Sequence, residues 1–375
     1  MIPEIAVAIS GGIDSLVAAY VLKKQYGNNI IGFHFLTGYE QTHTDHSLPP
    51  IIQSNSLDPL HNHASPRIFD PPYDHPVQRI ANQLDIPIKL MDCRNAFQQK
   101  IVDYFVRSYQ TGETPNPCMI CNQMIKFGIV LDVVQIMGIP ALATGHYARL
   151  IQKNGISHIH KGVDAIKDQS YFLAFLKPEN LPFIRLPLGD LTKRQVIEFA
   201  ASHKLTPVSA KESQDVCFIP NNDYAGFIAS QPHFSAQPGQ IIDSAGKVIG
   251  IHNGLYQFTI GQRRGINCPA AAPYYVIKID TARNRLIIGF KEDVYKTECF
   301  INSINWFIPV PSSPLKIAAQ IRYRHHPVEA MLFPSTKAGG SAVLRFKEPQ
   351  AAVTPGQAAV CYMDDQVIAG GWIHE

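Results

Sequence analysis

The sequence predicts an α/β protein: a Rossmann-like parallel sheet with helices on both faces, then a small mixed central domain and a C-terminal antiparallel β-barrel. The first observation is that short apolar segments alternate with amphipathic ones from Ile5 to about His203, as in parallel α/β sheets. The second is that short strand-like segments separated by turn residues follow Lys211. This change in pattern favours a small antiparallel barrel or sandwich in the last part of the chain.

The alternating region contains nine predicted elements. The predicted strands are Ile5–Ile9, Ile30–Phe35, Ile88–Met91 and Ala141–Thr144, and the predicted helices are Leu16–Gln25, Val77–Leu84, Ala96–Ser108, Cys121–Met137 and Lys193–His203. Thr192 and Gln195 have the spacing of a capping box ahead of the last helix. These patterns divide the chain into residues 1–211, 212–273 and 274–375.

Composition limits the class of protein. The chain has 375 residues, of which 46% are hydrophobic, so it can bury a large core. With 17% charged residues and a formal net charge of +3, it permits an acidic partner without requiring one. Because no uninterrupted apolar run reaches about 18 residues and the first strand begins near Met1, we expect a cytoplasmic protein without a membrane partner.

Two further compositional features concern cysteine and histidine. Seven cysteines, an odd number spread over a long chain, favour reduced thiols over a disulfide scaffold. The stretch from Gly38 to Pro76 is rich in Pro, His, Asn and Ser and has no periodicity. Its histidines lack the regular spacing of metal ligands, so we predict a surface loop rather than a metal site; they are His43, His46, His61, His63 and His75.

The segment "SGGIDS", Ser10 to Ser15, links the first predicted strand to the first helix. Unpaired backbone N–H groups at such a turn favour a phosphate. The segment lacks the Lys-Ser/Thr ending of a Walker A loop and is not G-x-G-x-x-G. Gly11 and Gly12 allow the backbone to approach phosphates, and Asp14 could hold Mg²⁺. The alternative is a plain strand-to-helix turn with capping side chains.

Cysteines mark two other segments. In "TPNPCMICNQMIKFG", Cys118 and Cys121 have C-x-x-C spacing where a helix is predicted to begin. A helix N-terminus lowers the pKa of a thiol, so this position favours a nucleophile or a metal ligand. A zinc knuckle would need a second C-x-x-C or a histidine pair. Cys217, in "ESQDVCFIP", would by itself be read as a buried core cysteine.

The chain resembles the family of tRNA-specific 2-thiouridylases nearly from end to end. The motifs that carry the resemblance are "SGGIDS", "TPNPCMICNQMIKF", "ATGHYARL", "KDQSYFLAFL", "ESQDVCFI", "YQFTIGQRRGI", "RYR" and "AAVTPGQAAV", in that order. The first is similar to the pyrophosphate loop of adenine-nucleotide α-hydrolase-like enzymes, which cleave ATP between its α and β phosphates and leave AMP on a substrate oxygen. The resemblance implies sulfur transfer to C2 of the wobble uridine, with ATP, Mg²⁺, tRNA and a sulfur-donor protein, a cysteine desulfurase or relay protein.

The resemblance also implies roles for individual residues. ATP would contact Ala8, Ile9, Ser10, Gly11, Gly12, Ile13, Asp14, Ser15, Phe35 and Gly145. Cys121 matches the nucleophilic cysteine and Cys217 the persulfide carrier, with the target base against Asn116, Pro117 and Cys118. Further tRNA contacts would come from His146, Lys167, Asp168, Gln169, Arg322, Tyr323 and Gln357. Residues 1–211 would adenylate the substrate, and 212–273 would contact tRNA.

The chemistry is consistent with these roles. A uracil carbonyl oxygen is a poor leaving group, so adenylation must precede attack by the terminal sulfur on Cys217, and Cys121 then forms a disulfide or frees sulfide. The base must leave its stack to be reached. The basic and aromatic run from Arg322 to His326 suits either nucleic acid or a solvated strand edge.

One departure from the family leaves the mechanism open. Many members have Asp where this chain has Cys118, so proton transfer is unassigned. Cys118 could donate a proton, remain a neutral spectator, or join Cys121 and Cys217 in ligating a [4Fe–4S] cluster. Two other interpretations are a pyrophosphate-loop ligase or amidotransferase acting on a small molecule, and a non-catalytic RNA-binding protein with a decayed nucleotide site.

Overall fold

The computed structural model describes residues 2–40, 66–209, 216–232, 234–335 and 340–374. The chain forms two compact units. The first comprises Met1–Ile101, Cys118–Phe218 and Asp365–Val367, and the second comprises Val102–Pro117, Ile219–Asp364 and Ile368–Glu375.

The elements follow one another along the chain as listed here. The strands are β1 Ile5–Ala8, β2 Ile30–Leu36, β3 Arg67–Phe69, β4 Ile88–Asp92, β5 Leu142–Ala143, β6 Ala148–Lys153, β7 Ile156–Lys161, β8 Ile184–Arg185, β9 Gly239–Asp243, β10 Val248–His252, β11 Tyr275–Asp280, β12 Arg285–Gly289, β13 Tyr295–Trp306, β14 Leu315–Gln320, β15 Val328–Pro334, β16 Ala342–Ala351, β17 Ala358–Met363 and β18 Gln366–His374. The helices are α1 Ile13–Tyr26, α2 Val77–Leu84, α3 Arg94–Phe97, α4 Asp103–Gln110, α5 Pro117–Ile120, α6 Leu131–Ile136, α7 Lys193–Ser202 and α8 Tyr224–Ala229, with π-helical segments at Gln98–Val102 and Cys121–Val130.

The first unit contains a six-stranded sheet in the order β3-β4-β2-β1-β5-β8. Its neighbouring strands are parallel except β3, which runs antiparallel to β4. Val7 in the central strand pairs with Gly32 on one side and Ala143 on the other. All four residues of β1 are buried, as expected for a central parallel strand covered on both faces.

The predicted parallel sheet and its helices are confirmed, with small differences at element ends. Helix α2 has the predicted bounds, and α7 begins at Lys193 behind a capping box formed by Thr192 and Gln195. The prediction of a loop from Gly38 to Pro76 is wrong in part, because β3 lies within it. His43, His46, His61 and His63 lie outside the described residues.

The second unit contains two β-structures. Strands β10-β9-β12-β11 form a sheet in which β9 and β12 are parallel and the other neighbours antiparallel. Strands β13-β16-β15-β14-β17-β18 form a closed antiparallel barrel, because β13 also pairs with β18. The predicted C-terminal barrel is confirmed, and the boundaries after residues 211 and 273 stay predictions.

The helix Pro117–Ile136 is long and apolar enough to cross a membrane by length and composition alone, although 44% of its most apolar window is buried in the protein. A helix was predicted here, at Cys121–Met137, but no uninterrupted apolar run of about 18 residues was found because Lys126 and Asp132 interrupt it. A core helix of a water-soluble protein passes the same test. All seven cysteines are free thiols in this structure, and their reduced state in the cell stays a prediction.

Candidate active site

The loop between β1 and α1 is braced by its own serines. The Ser15 hydroxyl donates to the Gly12 carbonyl at 2.9 Å and accepts from the Ser10 amide at 3.2 Å. The Ser10 hydroxyl donates to Ser15 Oγ at 3.1 Å. The Gly11 carbonyl accepts from the Val208 amide at 2.9 Å. The loop is therefore held in shape at the N-terminus of a 14-residue helix, where backbone N–H groups favour an anion.

Gly145 packs directly on the first turn of α1. A Cβ at this position would lie 2.9 Å from the Asp14 carbonyl carbon and 3.0 Å from the Ser15 amide nitrogen. Because both neighbours are backbone atoms, any larger side chain would displace the phosphate loop. Phe35, near the carboxyl end of β2, is half-buried. The carboxyl edge of a parallel sheet is where such folds bind ligands, so both positions are compatible with the predicted nucleotide contacts.

Asp14 has partners that the sequence analysis did not anticipate. Lys193 Nζ lies 2.7 Å from its Oδ1 and 2.8 Å from its Oδ2, and the Tyr147 hydroxyl donates to Oδ1 at 2.7 Å. In the described part of the chain, no group of three His, Cys, Asp or Glu side chains is arranged to hold a metal ion. The described residues therefore do not by themselves form the Mg²⁺ site that Asp14 suggested, because its carboxylate already binds a lysine.

The C-x-x-C motif lies at the start of the helix Pro117–Ile136. From Cys121 to Val130 this helix is π-helical, a form often found at functional sites. A Cβ on Gly128 would lie 2.8 Å from the Gln123 carbonyl oxygen, so the wide turn needs glycine there. The Asn180 amide donates to the Phe127 carbonyl at 2.9 Å and helps to hold the segment in place.

Cys118, Cys121 and Cys217 of the first unit are close enough for the charge of one thiol to shift the pKa of another, and the charge of Cys121 shifts the pKa of Cys93 in the same way. Charge on Cys217 or Cys121 raises the pKa of Cys118, and charge on Cys217 raises the pKa of Cys121. Lys126, half-buried on the same helix, lowers the pKa of each of the three. Next to Cys217, Phe218 is fully buried and packs edge-on against Phe97, with ring centroids 5.7 Å apart. Cysteines that are far apart in sequence therefore affect one another's ionisation.

The predicted low pKa of the C-x-x-C thiols is wrong. Burial raises the pKa of Cys118 to about 12 and that of Cys121 to about 11, and burial also raises the pKa of Cys217, although this residue is exposed. The cost of desolvating a thiolate exceeds the stabilisation that the helix N-terminus and Lys126 provide. These thiols are protonated at neutral pH.

No group of three His, Cys, Asp or Glu side chains is arranged to hold a metal ion among residues 2–40, 66–209 and 216–232, which include the three thiols. The [4Fe–4S] alternative therefore stays a prediction, and no step of the mechanism proposed below depends on a cluster.

Polar groups of the predicted tRNA contacts in the first unit have partners inside the protein. His146 is buried, its Nδ1 lies 2.6 Å from Thr144 Oγ1, and burial keeps its pKa well below the ordinary value, so the ring is neutral. Asp168 accepts from the Gly162 amide at 2.9 Å, and Gln169 Oε1 accepts from the Tyr147 amide at 2.9 Å. Lys167 is half-buried next to them. Contact with tRNA stays a prediction for these residues.

The second unit holds the other predicted contacts. The Gln357 amide donates to the carbonyls of Thr114 and Pro115 at 3.0 and 3.1 Å. It thereby fixes the segment that leads to Asn116, which is buried. Arg322 is exposed and Tyr323 is half-buried, and both follow β14. Their contact with tRNA also stays a prediction.

Three residues of the site, Lys126, Tyr147 and Lys193, were not predicted from the sequence. Lys126 lies in the quoted cysteine motif, and Tyr147 in "ATGHYARL". Lys193 directly follows the capping residue of α7. Each of these residues therefore lies in or next to a sequence pattern that was recognised, but only the fold shows which group it contacts.

The strand order and the loop at the start of α1 define a Rossmann-like α/β protein with a loop suited to bind a phosphate. Residues 3–221 match the family described as tRNA methyl transferase HUP domain, residues 227–290 the tRNA methyl transferase PRC-barrel domain, and residues 296–373 the aminomethyltransferase beta-barrel domain. The tRNA-specific 2-thiouridylase MnmA of Desulfosudis oleivorans is 45% identical, over 99% of this chain and 95% of its own length. That of Geotalea uraniireducens is 39% identical, over 99% and 94%. The chain belongs to the family of tRNA-specific 2-thiouridylases.

The U34-tRNA thiolase NcsA of Methanococcus maripaludis, solved with its [4Fe–4S] cluster, aligns with 57% of this chain and 60% of its own. The identity is 18% and the TM-score 0.33, too slight a likeness to bear on the chemistry of this protein.

Proposed function

We propose that this protein transfers sulfur to C2 of the wobble uridine of tRNA in an ATP-dependent reaction, giving 2-thiouridine, AMP and pyrophosphate. The observation that carries the proposal is the presence, in one compact unit, of a braced phosphate loop and three neighbouring thiols, Cys118, Cys121 and Cys217. Family membership supports the same reaction.

Adenylation is the first step. The uridine O2 attacks the α-phosphorus of ATP, the bond to the β-phosphate breaks, and pyrophosphate leaves. ATP is the substrate, in cells as its Mg²⁺ complex. The N–H groups at the start of α1 and the Gly11–Gly12 backbone bind the phosphates. Phe35 and Gly145 line the nucleotide site, with the loop residues Ala8, Ile9, Ser10, Ile13, Asp14 and Ser15.

Sulfur transfer follows on Cys217. Its persulfide, loaded by a sulfur-donor protein, attacks C2, and AMP leaves with the original oxygen. Cys121 then attacks the inner sulfur of Cys217, breaking the S–S bond and leaving sulfur on the base. In the alternative order, Cys121 first frees sulfide, which attacks C2. Both orders end in a Cys121–Cys217 disulfide, and a dithiol reductant must restore the two thiols.

Proton transfer depends on burial. Because the pKa of Cys121 is about 11, its thiol must lose a proton before it can attack. Lys126 favours the thiolate, since its positive charge lowers the pKa of Cys121. Cys118, whose pKa is about 12, keeps its proton at neutral pH and so suits a proton donor or a neutral spectator.

We also infer the partners of this protein and the compartment in which it acts. The flipped uridine lies against Asn116, Pro117 and Cys118, and His146, Lys167, Asp168, Gln169, Arg322, Tyr323 and Gln357 contact the tRNA. The sulfur donor is a cysteine desulfurase or a relay protein. The reaction takes place in the cytoplasm, where thiols stay reduced.

Nucleoside mass spectrometry of tRNA tests this function. A strain that lacks its own 2-thiouridylase should regain 2-thiouridine with the unsubstituted protein and with the control Cys268→Ser, a half-buried cysteine of the second unit. Cys121→Ser and Cys217→Ser should restore none. Equal restoration by Cys217→Ser would show that Cys217 does not carry the sulfur.

Two in vitro measurements separate the other candidates. Release of pyrophosphate from ATP should be stimulated by tRNA; stimulation by a small acid or amide would indicate a ligase, and no release would indicate a binding protein. Protein purified without oxygen should lack the brown absorption band of an iron–sulfur cluster. A band that disappears in Cys121→Ser would contradict the persulfide route.

A further inference from the structure

The Asp14–Lys193 ion pair is largely enclosed within the first unit. The exposed fraction of the side chain is 13% for Lys193 and 31% for Asp14. Nζ contacts both carboxylate oxygens, at 2.7 and 2.8 Å. Asp14 belongs to the first turn of α1, so a lysine from the start of α7 reaches the phosphate loop.

The cation is held in place by its surroundings. The Lys193 amide donates to Asp164 Oδ2 at 2.8 Å, and the preceding residue, Thr192, caps the helix. The Tyr147 hydroxyl also donates to Asp14 Oδ1, at 2.7 Å, and the Tyr147 backbone is itself fixed by Gln169. An ion pair on the exposed surface would not need these additional hydrogen bonds to hold its two side chains in position.

A carboxylate at this position opposes polyphosphate binding. Asp14 adds a negative charge to a loop whose helix N-terminus otherwise attracts anions. An ion pair that is mostly withdrawn from water also pays a desolvation cost, which makes it weak evidence for a role in stability alone. The ammonium group of Lys193, next to the Asp14 carboxylate, is therefore well placed to bind an anion as well.

We propose that Lys193 binds the polyphosphate of ATP, sharing its ammonium group between Asp14 and the phosphate oxygens. This inference rests on the proposed ATP-dependent function. Because ATP carries two more phosphate groups than AMP, removing the cation should weaken ATP binding much more than AMP binding. If Lys193 only neutralised Asp14, replacing both residues by neutral ones would not weaken ATP binding more than AMP binding.

Calorimetric titration of the full chain with ATP and with AMP, without tRNA, tests the inference. Lys193→Met should weaken ATP binding on the order of ten- to a hundredfold, as expected for a lost charged hydrogen bond, and AMP binding by about threefold or less. Lys193→Arg should keep most of the preference for ATP. Lys24→Met, which removes an exposed charge near the other end of α1, is the matched control and should bind both nucleotides like the unsubstituted protein.

The double variant Asp14→Asn/Lys193→Met, measured with the single variant Asp14→Asn, completes a double-mutant cycle for this ion pair. We expect ATP binding to stay weak in it. Restored ATP binding, or equal losses for ATP and AMP in Lys193→Met, would overturn the role of Lys193 while leaving ATP use intact. If the unsubstituted protein bound neither nucleotide, both this inference and the proposed function would fail. Far-UV circular dichroism checks that each variant folds, and Lys193→Arg provides the comparison if Lys193→Met does not.

Discussion

Cys121 should react slowly with a thiol reagent at neutral pH. Its pKa of about 11 is two units above the ordinary thiol value of 9.0, so below pH 9 about a hundredfold fewer molecules carry the thiolate. A thiolate of higher pKa is intrinsically more nucleophilic, which returns a factor of about ten. The net expectation is alkylation about tenfold slower than that of an unperturbed cysteine.

Lys126→Met should slow the reaction further. Its charge favours all three thiolates, so its loss raises the pKa of Cys118, Cys121 and Cys217. We expect the alkylation rate of Cys121 to fall by about threefold more, after allowing for the higher nucleophilicity. Lys126→Arg should behave like the unsubstituted protein because it keeps the charge.

Iodoacetamide labelling followed by peptide mass spectrometry measures each cysteine separately. The rate at Cys121 should rise steadily from pH 7 to about pH 10 without a plateau. Lys24→Met removes an exposed charge that does not shift the pKa of these thiols and is the control for charge removal. A plateau below pH 9, or an unchanged rate in Lys126→Met, would refute the dominance of burial and the role of Lys126.

Three other substitutions test the scaffold. Gly145→Ala should weaken ATP binding by about tenfold or more, because its Cβ would lie 2.9 Å from the Asp14 carbonyl carbon; unchanged calorimetric affinity would show that the loop tolerates the shift. Thr192→Ala removes the cap of α7 and should lower the free energy of unfolding by about 1 kcal/mol in a denaturant titration, whereas Thr192→Ser should not. Gln357→Leu leaves two carbonyls without this donor and should lower the free energy of unfolding by about 1–3 kcal/mol in the same assay. An unchanged free energy of unfolding would indicate that the Gln357 side chain serves tRNA contact alone.

Local pattern predicted most of the fold. The apolar alternation that locates β1, β2 and α2 depends only on neighbouring residues, and the capping box at Thr192 is likewise local. Strand β3 was missed because three residues in a polar stretch carry no periodic signal, and its partner β4 follows only after α2. The π-helical segment was missed because its sequence also satisfies an ordinary helical pattern.

The site was only partly predictable for a physical reason. Motifs located the phosphate loop and the cysteines, but the sign of a thiol's pKa shift depends on burial, which the tertiary structure determines. At Cys121 desolvation outweighs the helix N-terminus, so the expectation from local position was wrong. The partner of Asp14 was equally out of reach, because Lys193 is 179 residues away in sequence.

A single turnover with tRNA, ATP and protein carrying a persulfide on Cys217, run without reductant, decides whether the thiols at 121 and 217 act together. Digestion and mass spectrometry should recover one disulfide between the peptides of Cys121 and Cys217 for each 2-thiouridine formed. Formation of 2-thiouridine with both cysteines recovered as free thiols would contradict the mechanism.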